Sequence, residues 1–215
     1  MKLIYGTTNK AKIDFMKNHI EPLGIEMLSL SDVDAPKLDI VESGNTPLEN
    51  ARIKALTYYR ALHQPVFSCD SALYIDGLDE ARQPGAHVRS VGGCELGDDE
   101  TTAYFSELAA ELGGSMTAMY QHAICLVLDD RRIYEYMGED IASERFLIVS
   151  KPHEKHNEGF PIDKLSVHIE SGRYYYDMDA SEKELAEGKD GFAAFFKRVL
   201  LQQEDDKVEL WDLFE

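Results

Sequence analysis

Apolar positions in the first part of the chain alternate between short continuous runs and stripes at helical spacing. The runs at residues 2–5, 25–30 and 66–69 predict buried strands. Between the first two runs, apolar residues recur at Ile13, Met16 and Ile20 and predict a helix over residues 9–20. A second helical pattern extends over residues 47–62, with a proline in its first turn. Two strand–helix units followed by a third strand favour an α/β core.

The rest of the chain predicts further strands and helices around two loops. Residues 31–46 are acidic and turn-rich, and residues 82–97 are rich in glycine, which is typical of an active-site loop or a domain joint. The pattern then predicts a helix at 98–112, strands at 117–128, 132–136 and 142–149, and a final helix at 192–203. The short apolar segments 167–169 and 174–176 predict a second, smaller sheet.

Composition limits the class of protein and of partner. A length of 215 residues suits one sizeable core, and we expect a single domain over residues 1–215. A net charge of −18 argues against a nucleic-acid polymer as partner but leaves room for a small anionic ligand. No apolar stretch suits a signal peptide or a membrane span. The three cysteines include no CxxC pair, so we expect reduced thiols in a cytoplasmic protein.

The N-terminal segment has the pattern of a phosphate-binding turn. A predicted strand passes directly into Thr7, Thr8 and Asn9, and Lys12 follows one helical turn later. Backbone N–H groups at a helix N-terminus, together with a lysine, form a common phosphate site. The alternatives are a helix-capping role for Thr7 or Thr8 and a solvated position for Lys12.

Two carboxylates in the first half are candidates for a metal site. Glu42 lies in the loop before the second predicted helix, and Asp70 is predicted at the carboxyl end of the third strand. Ligands of open α/β sheets bind at that end of the strands. Mg²⁺ takes one or two carboxylates together with phosphate oxygens, so this pair could hold it against a polyphosphate. The alternative for each is a solvated charge, and Glu49 suits the first turn of a helix equally well.

Four short segments occur in register: Thr-Thr-Asn-Lys-Ala-Lys at 7–12, Glu-Asn-Ala-Arg-Ile-Lys-Ala at 49–55, Asp-Ser-Ala-Leu at 70–73 and Pro-Gly at 84–85. Together they resemble the inosine triphosphate pyrophosphatase family, which hydrolyses deaminated purine nucleoside triphosphates to monophosphates and pyrophosphate. The resemblance implies an elongated mixed β-sheet flanked by helices, in two lobes with a central cleft. It also implies a Mg²⁺ cofactor and a homodimer.

The resemblance assigns a role to each matching position. Asp70 and Lys12 correspond to the catalytic residues, and Glu42 and Asp70 to the metal ligands. Gly-Phe-Pro-Ile-Asp at 159–163 is similar to the family's Gly-Phe-Gly-Tyr-Asp segment, in which the phenylalanine stacks on the base. Including the N-terminal turn, the residues expected to bind substrate are Thr7, Thr8, Asn9, Lys12, Ser71, Arg89, Phe160, Asp163, Lys183 and Lys189.

The chain departs from the family pattern in several places, one of them Pro161-Ile162 in place of Gly-Tyr. Cys69 stands where the family usually has a second acid, and a thiol is a poor ligand for a hard cation. The family's Ser-His-Arg motif, which reads the base, is absent, and Lys189 is the candidate replacement for one of its cations. We therefore expect Mg²⁺-dependent hydrolysis of ITP, XTP or dITP. The alternatives are a related enzyme with another base preference and a nucleotide-binding module with weak or no turnover.

Overall fold

A seven-stranded mixed sheet is the centre of the computed structural model, which describes residues 1–179, 181–182 and 191–212. The strands of this sheet are β1 (Lys2–Tyr5), β2 (Glu26–Leu28), β3 (Val66–Ile75), β6 (Ser115–Val127), β7 (Ile133–Tyr136), β8 (Phe146–Val149) and β9 (Ser166–His168). A separate hairpin contains β4 (Ser90–Val91) and β5 (Cys94–Glu95). The described helices are α1 (Lys10–Ile20), α2 (Pro47–Leu62), α3 (Asp98–Glu111) and α4 (Gly191–Asp212).

The sheet combines a parallel and an antiparallel part. The strand order is β2-β1-β3-β6-β8-β9, with β7 paired to β6 outside this path. β1 runs parallel to β2 and β3, as two consecutive strand–helix units require. β3 and β6 form a long antiparallel ladder that extends from the pair Val66–Val127 to the pair Ile75–Ala118. The α/β core that the sequence pattern predicts is confirmed, and so is the mixed sheet flanked by helices that the resemblance implies.

Strand alternation divides the side chains of β3 and β6 between two faces of the sheet. On one face α2 packs against the sheet, where Ala55 contacts the cluster that contains Cys125 and Val127. The other face carries two separate hydrophobic clusters. One holds α1 and α4 against the β1 end of the sheet, and the other holds α3 against β8 and the far end of β3. The two lobes, the central cleft and the single domain stay predictions.

Several predicted elements differ from the structure. β3 continues to Ile75, so Asp70 lies in the middle of a strand and not at its end, because β6 pairs with the whole of β3. The second, smaller sheet at 167–169 and 174–176 is wrong: β9 joins the main sheet through β8, and Tyr175–Asp177 is a 3₁₀ helix. Runs of three apolar residues do not specify which strand they pair with.

Within the described ranges, each helix is too short or too polar to cross a membrane.

Candidate active site

The turn after β1 is fixed by main-chain bonds to β3 and by a helix cap. The Gly6 N–H donates to the Phe67 carbonyl (2.8 Å), which holds the turn against β3. The Asn9 side chain accepts from the Lys12 N–H (3.2 Å) and so caps α1. The alternative of a helix cap at Thr7 or Thr8 is therefore wrong: the Thr7 hydroxyl accepts from the N–H of Asn9 itself (3.2 Å), and Thr8 is exposed.

β3 leaves part of its edge unpaired beside this turn. β1 ends at Tyr5, opposite Phe67, and the next main-chain partner of this edge among the described residues is Gly85, which exchanges two hydrogen bonds with Leu73 (2.9 and 3.0 Å). Between these points, strand alternation directs the backbone N–H groups of Cys69 and Ser71 towards the gap. The gap thus offers peptide donors next to the N-terminus of α1, and an anion can use both.

Lys54 of α2 joins the two carboxylates that the sequence marks for a metal. Its Nζ donates to Glu42 Oε2 and to Asp70 Oδ1, both at 2.9 Å. The side chains of Lys54 and Asp70 are only 12% and 10% exposed, whereas that of Glu42 is 43% exposed. Burial by itself lowers the pKa of Lys54, but the charges of Asp70 and Glu42 outweigh it, so the pKa is raised. The ammonium group therefore stays charged between the two acids.

The loop that carries Glu42 is fixed by the N-terminus of α2. The Gly44 N–H donates to the side chain of Asn50 (2.8 Å), which is fully buried. Thr46 and Glu49 form a reciprocal capping box at the start of the helix. Glu49 therefore has the capping role that the sequence allowed as an alternative. A Cβ on Gly44 would lie 2.6 Å from the Glu49 Cβ, so only glycine fits this position.

Asp70 has the features of a metal ligand. Its second oxygen, Oδ2, is buried and has no hydrogen-bond partner within the described residues. A buried carboxylate oxygen without a partner is destabilising, and a divalent cation would satisfy it. The described residues contain no group of three or more potential ligands, so phosphate and water oxygens would complete the coordination. The chemistry of Glu42 and Asp70 therefore fits Mg²⁺.

Lys12 lies close to the same carboxylate. Burial lowers its pKa, and the neighbouring charge of Lys54 lowers it further, while Asp70 acts in the opposite direction. Two lysines from two helices thus act on one buried acid through their charges. An anionic ligand would relieve the repulsion between them, which is the electrostatic arrangement that a polyphosphate site requires.

A cavity of about 340 Å³ opens on the face of the sheet that carries the two hydrophobic clusters. Side chains of β6 form part of its wall, and one of them, His122, also contacts Ser71 of β3 beside Asp70. The residues that line the cavity are Phe15, His19, Tyr120, His122, Asp140, Ile141, Ala142, Ser143, Glu144, Phe146, Asn157, Asp163, Ser166, Tyr175, Tyr176 and Phe192. Because Ser71 and Asp70 are consecutive residues of β3, their side chains lie on opposite faces of the sheet, and the cavity and the carboxylate site are separated by this strand.

Comparison with known proteins identifies the fold and the family together. Residues 3–188 match the model of the Ham1 family. The chain belongs to the Ham1 family. A dITP/XTP pyrophosphatase from Thermus thermophilus is 30% identical over 186 residues, which cover 85% of this chain and 84% of the relative. One from Exiguobacterium is 37% identical over 129 residues, which cover 59% of this chain and 62% of the relative. A solved HAM1 protein from Coxiella burnetii superposes with a TM-score of 0.70 at 21% identity, covering 95% of this chain and 99% of that one.

Cys69, which stands where the family resemblance places a second acid, does not enter the carboxylate site. Its side chain belongs to the cluster around α1 and α4, which also contains Tyr5. Burial raises the pKa of the thiol to about 12. Cys69 is therefore a structural core residue, neither a thiolate nucleophile nor a metal ligand.

Ser71 pairs with a histidine that the sequence analysis did not identify. The Ser71 hydroxyl lies 2.7 Å from His122 Nδ1, directly across the β3–β6 ladder. Burial lowers the pKa of His122 to about 4, and the nearby charge of Lys12 acts in the same direction. The imidazole is thus neutral at physiological pH. The pair joins residues that are 51 positions apart in sequence, which no local motif can reveal.

Arg89 contacts the segment 159–163, which resembles the family's base-binding motif. Its guanidinium contacts Asp98 at 2.5 Å and donates to the Gly159 carbonyl at 3.1 Å, while the Gly159 N–H donates to Asp98 at 2.8 Å. The Gly159 N–H and the Arg89 charge hold the pKa of Asp98 below its usual value. Arg89 is thus engaged with protein groups, and its substrate role stays a prediction. A Cβ on Gly159 would lie 3.4 Å from the Asn9 side chain, so this segment meets the phosphate turn.

The remaining predicted substrate residues divide into three groups. Asp163 lines the cavity, as expected of a residue in a base pocket. Phe160 is half-buried and is not among the lining residues. Lys183 and Lys189 lie outside the described residues.

Proposed function

We propose that the protein hydrolyses nucleoside triphosphates to monophosphates and pyrophosphate with Mg²⁺, and that it acts on ITP, XTP or dITP. The observation that carries the proposal is the meeting of Glu42 and the buried Asp70 at Lys54, with an unsatisfied oxygen on Asp70. The names of the relatives, dITP/XTP pyrophosphatases, supply the reaction and the substrates.

The geometry suits an attack by water on the α-phosphorus. Lys12 and the backbone N–H groups beside the turn would bind the phosphate oxygens and stabilise the charge that develops on them. Asp70 would take a proton from the water as the new P–O bond forms, and the bond to the β-phosphate would break, so that pyrophosphate leaves with the bridging oxygen. Bound Mg²⁺ would neutralise phosphate charge at Glu42 and Asp70.

Two alternatives make different claims about the same site. A nucleotide-binding module without turnover would be favoured if Cys69 weakened the metal site. The thiol lies in the core, however, and leaves both acids in place. A changed base preference has a specific observation in its favour, the acidic lining of the cavity.

We also propose a cytoplasmic homodimer with no nucleic-acid or membrane partner. The free cysteines, the net charge of −18 and the family resemblance support this proposal.

The test is pyrophosphate release in Mg²⁺ across ITP, XTP, dITP, GTP, ATP, dUTP and dTTP, for the wild type and Asp70→Asn. We expect turnover of at least one triphosphate and a loss of about 10²-fold or more in the variant, with an unchanged circular dichroism spectrum. A variant with near-normal rate would remove Asp70 from the mechanism. Binding of triphosphates by the wild type without any turnover would favour the module.

A further inference from the structure

The two carboxylates that fit a metal already share a cation that belongs to the protein. Lys54 Nζ lies 2.9 Å from Glu42 Oε2 and 2.9 Å from Asp70 Oδ1. In the part of the chain that the structure describes, these two acids are the hydrogen-bond acceptors of the ammonium group. A divalent cation that used the same two oxygens would have to displace it. Lys54 and a metal are therefore competitors for one pair of acids.

Burial strengthens this competition. The side chains of Lys54 and Asp70 are both nearly buried, so water and salt screen their charges poorly. The second oxygen of Asp70, Oδ2, has no partner within the described residues, but it belongs to the same carboxylate as Oδ1. A cation at Oδ2 would still lie close to the ammonium group, and the two positive charges would repel each other.

The formal charges around Asp70 cancel before any ligand binds. Lys12 and Lys54 supply two positive charges that interact with each other, and Glu42 and Asp70 supply two negative charges. A divalent cation alone would leave this group with an excess of positive charge. A triphosphate brings several negative charges, so a cation that arrives together with a nucleotide meets the compensation that it lacks otherwise.

We propose that Lys54 is a tethered counter-ion that keeps Mg²⁺ out of the site until a nucleotide is present, so that metal and nucleotide bind together. The inference rests on the proposed function for the place of the triphosphate. Its own claim concerns the protein without nucleotide: the ammonium group of Lys54 lowers the affinity of Glu42 and Asp70 for a divalent cation. Lys54 thereby determines the order in which metal and substrate bind.

The experiment titrates Mn²⁺ into nucleotide-free wild type and Lys54→Met, and electron paramagnetic resonance measures the free ion. Mn²⁺ prefers oxygen ligands, as Mg²⁺ does. We expect Lys54→Met to bind Mn²⁺ at least about tenfold more tightly than the wild type, because the competing charge is gone and both acids have lost their partner. A merely structural role of Lys54 predicts the opposite, since a distorted site would bind the ion less tightly.

Arg52→Met is the matched control. Arg52 lies two residues before Lys54 on α2, and its guanidinium pairs with Glu135 at 3.2 Å. This variant changes the net charge by the same amount, so its affinity for Mn²⁺ should stay within about twofold of the wild type. Addition of Asp70→Asn to Lys54→Met should abolish the gain, which would place the added affinity at this acid and not elsewhere on an acidic protein. Circular dichroism shows whether each variant is folded.

A second measurement needs no variant and decides the matter if Lys54→Met does not fold. The Tm of the wild type is recorded with MgCl₂, with the α,β-methylene analogue of ITP, which cannot release pyrophosphate, and with both. We expect a small shift with MgCl₂ alone and a shift with both that exceeds the sum of the separate shifts, because the two ligands bind cooperatively.

Three results would overturn the proposal: equal affinity for Mn²⁺ in wild type and Lys54→Met, a gain that persists when Asp70→Asn is added, or a wild-type Tm that MgCl₂ alone raises as much as MgCl₂ with the analogue. The Mn²⁺ titration involves neither nucleotide nor turnover. If no triphosphate is hydrolysed, the proposed function fails, and the titration still decides whether Lys54 excludes the metal.

Discussion

Replacement of Lys54 by methionine tests the electrostatics of the carboxylate site directly. The ammonium group is the shared partner of Glu42 and Asp70, at 2.9 Å from an oxygen of each. Methionine keeps a side chain of similar length but removes the charge, so the two acids lose their common cation. We expect the free energy of unfolding to fall substantially when no divalent metal is present.

The magnitude follows from the burial of the three groups. Removal of one partner from a buried ion pair costs about 3–5 kcal/mol. Lys54 and Asp70 approach that case at 12% and 10% exposure, but water screens Glu42, which is 43% exposed. We therefore expect a loss of about 2–4 kcal/mol, or a Tm lower by about 5–15 °C for a chain of this length.

Lys2 provides a matched control at the same distance. Its pair with Glu26 also measures 2.9 Å, but the two side chains are 68% and 54% exposed. Lys2→Met should therefore cost less than about 1 kcal/mol. Because the two variants differ mainly in burial, the difference between them measures what desolvation adds to the Lys54 site.

The assay is thermal unfolding followed by circular dichroism, first in EDTA and then in MgCl₂. We expect Mg²⁺ to restore more stability to Lys54→Met than to the wild type, because the cation would occupy the same acids that lost the ammonium. Equal losses for Lys54→Met and Lys2→Met would refute the electrostatic reasoning. An identical response to Mg²⁺ in variant and wild type would refute the placement of the metal at this pair.

Three further predictions concern other parts of the fold. Gly6→Ala would place a Cβ 2.6 Å from the buried Ser68 hydroxyl, so urea unfolding should show a loss of about 1–3 kcal/mol, and an unchanged midpoint would contradict the close contact. Iodoacetamide at about pH 8 should label the exposed Cys94 and leave Cys69, whose pKa is about 12, unmodified in peptide mass spectra; labelling of both at similar rates would show that the thiol is accessible. The lowered pKa of Asp98 means that its stabilisation is present above the usual value of 3.8 and is lost as the pH falls through the folded-state pKa. Asp98→Asn should therefore flatten the decline in unfolding free energy between about pH 5 and pH 3, whereas a decline as steep as that of the wild type would exclude Asp98 as its source.

Local patterns predicted those parts of the fold that neighbouring residues determine. The strand, turn and helix of the first twenty residues, and α2 with its proline start, follow from spacing and capping chemistry. The prediction that β3 ends at Asp70 is wrong. The apolar run ends near Cys69, but the strand continues to Ile75 because β6 pairs with these residues as well. Pairing with a distant strand is information that a local window does not contain.

In the candidate site, too, individual residues could be predicted from local patterns, but contacts between distant residues could not. Glu42 and Asp70 could be selected from the sequence, and the structure brings them to one point. Lys54 lies within the Glu-Asn-Ala-Arg-Ile-Lys-Ala segment, so its position was visible, but its role depends on how α2 packs against β3. His122 contacts Ser71 only through the register of the β3–β6 ladder. Residues whose function depends on register or helix packing are those that sequence reasoning missed.

The departures from the family pattern affect the carboxylate site and the cavity differently. The Cys69 side chain is turned into the core, so this substitution leaves the oxygens of Glu42 and Asp70 available to a metal. Pro161 and Ile162, by contrast, are buried in the segment before Asp163, which lines the acidic cavity. In the proposed reaction, hydrolysis depends on the groups around Asp70 and Lys12, and these groups are retained. A chain that keeps these groups and changes the segment before Asp163 should retain the reaction while its base preference changes, and pyrophosphate release across the triphosphates measures both.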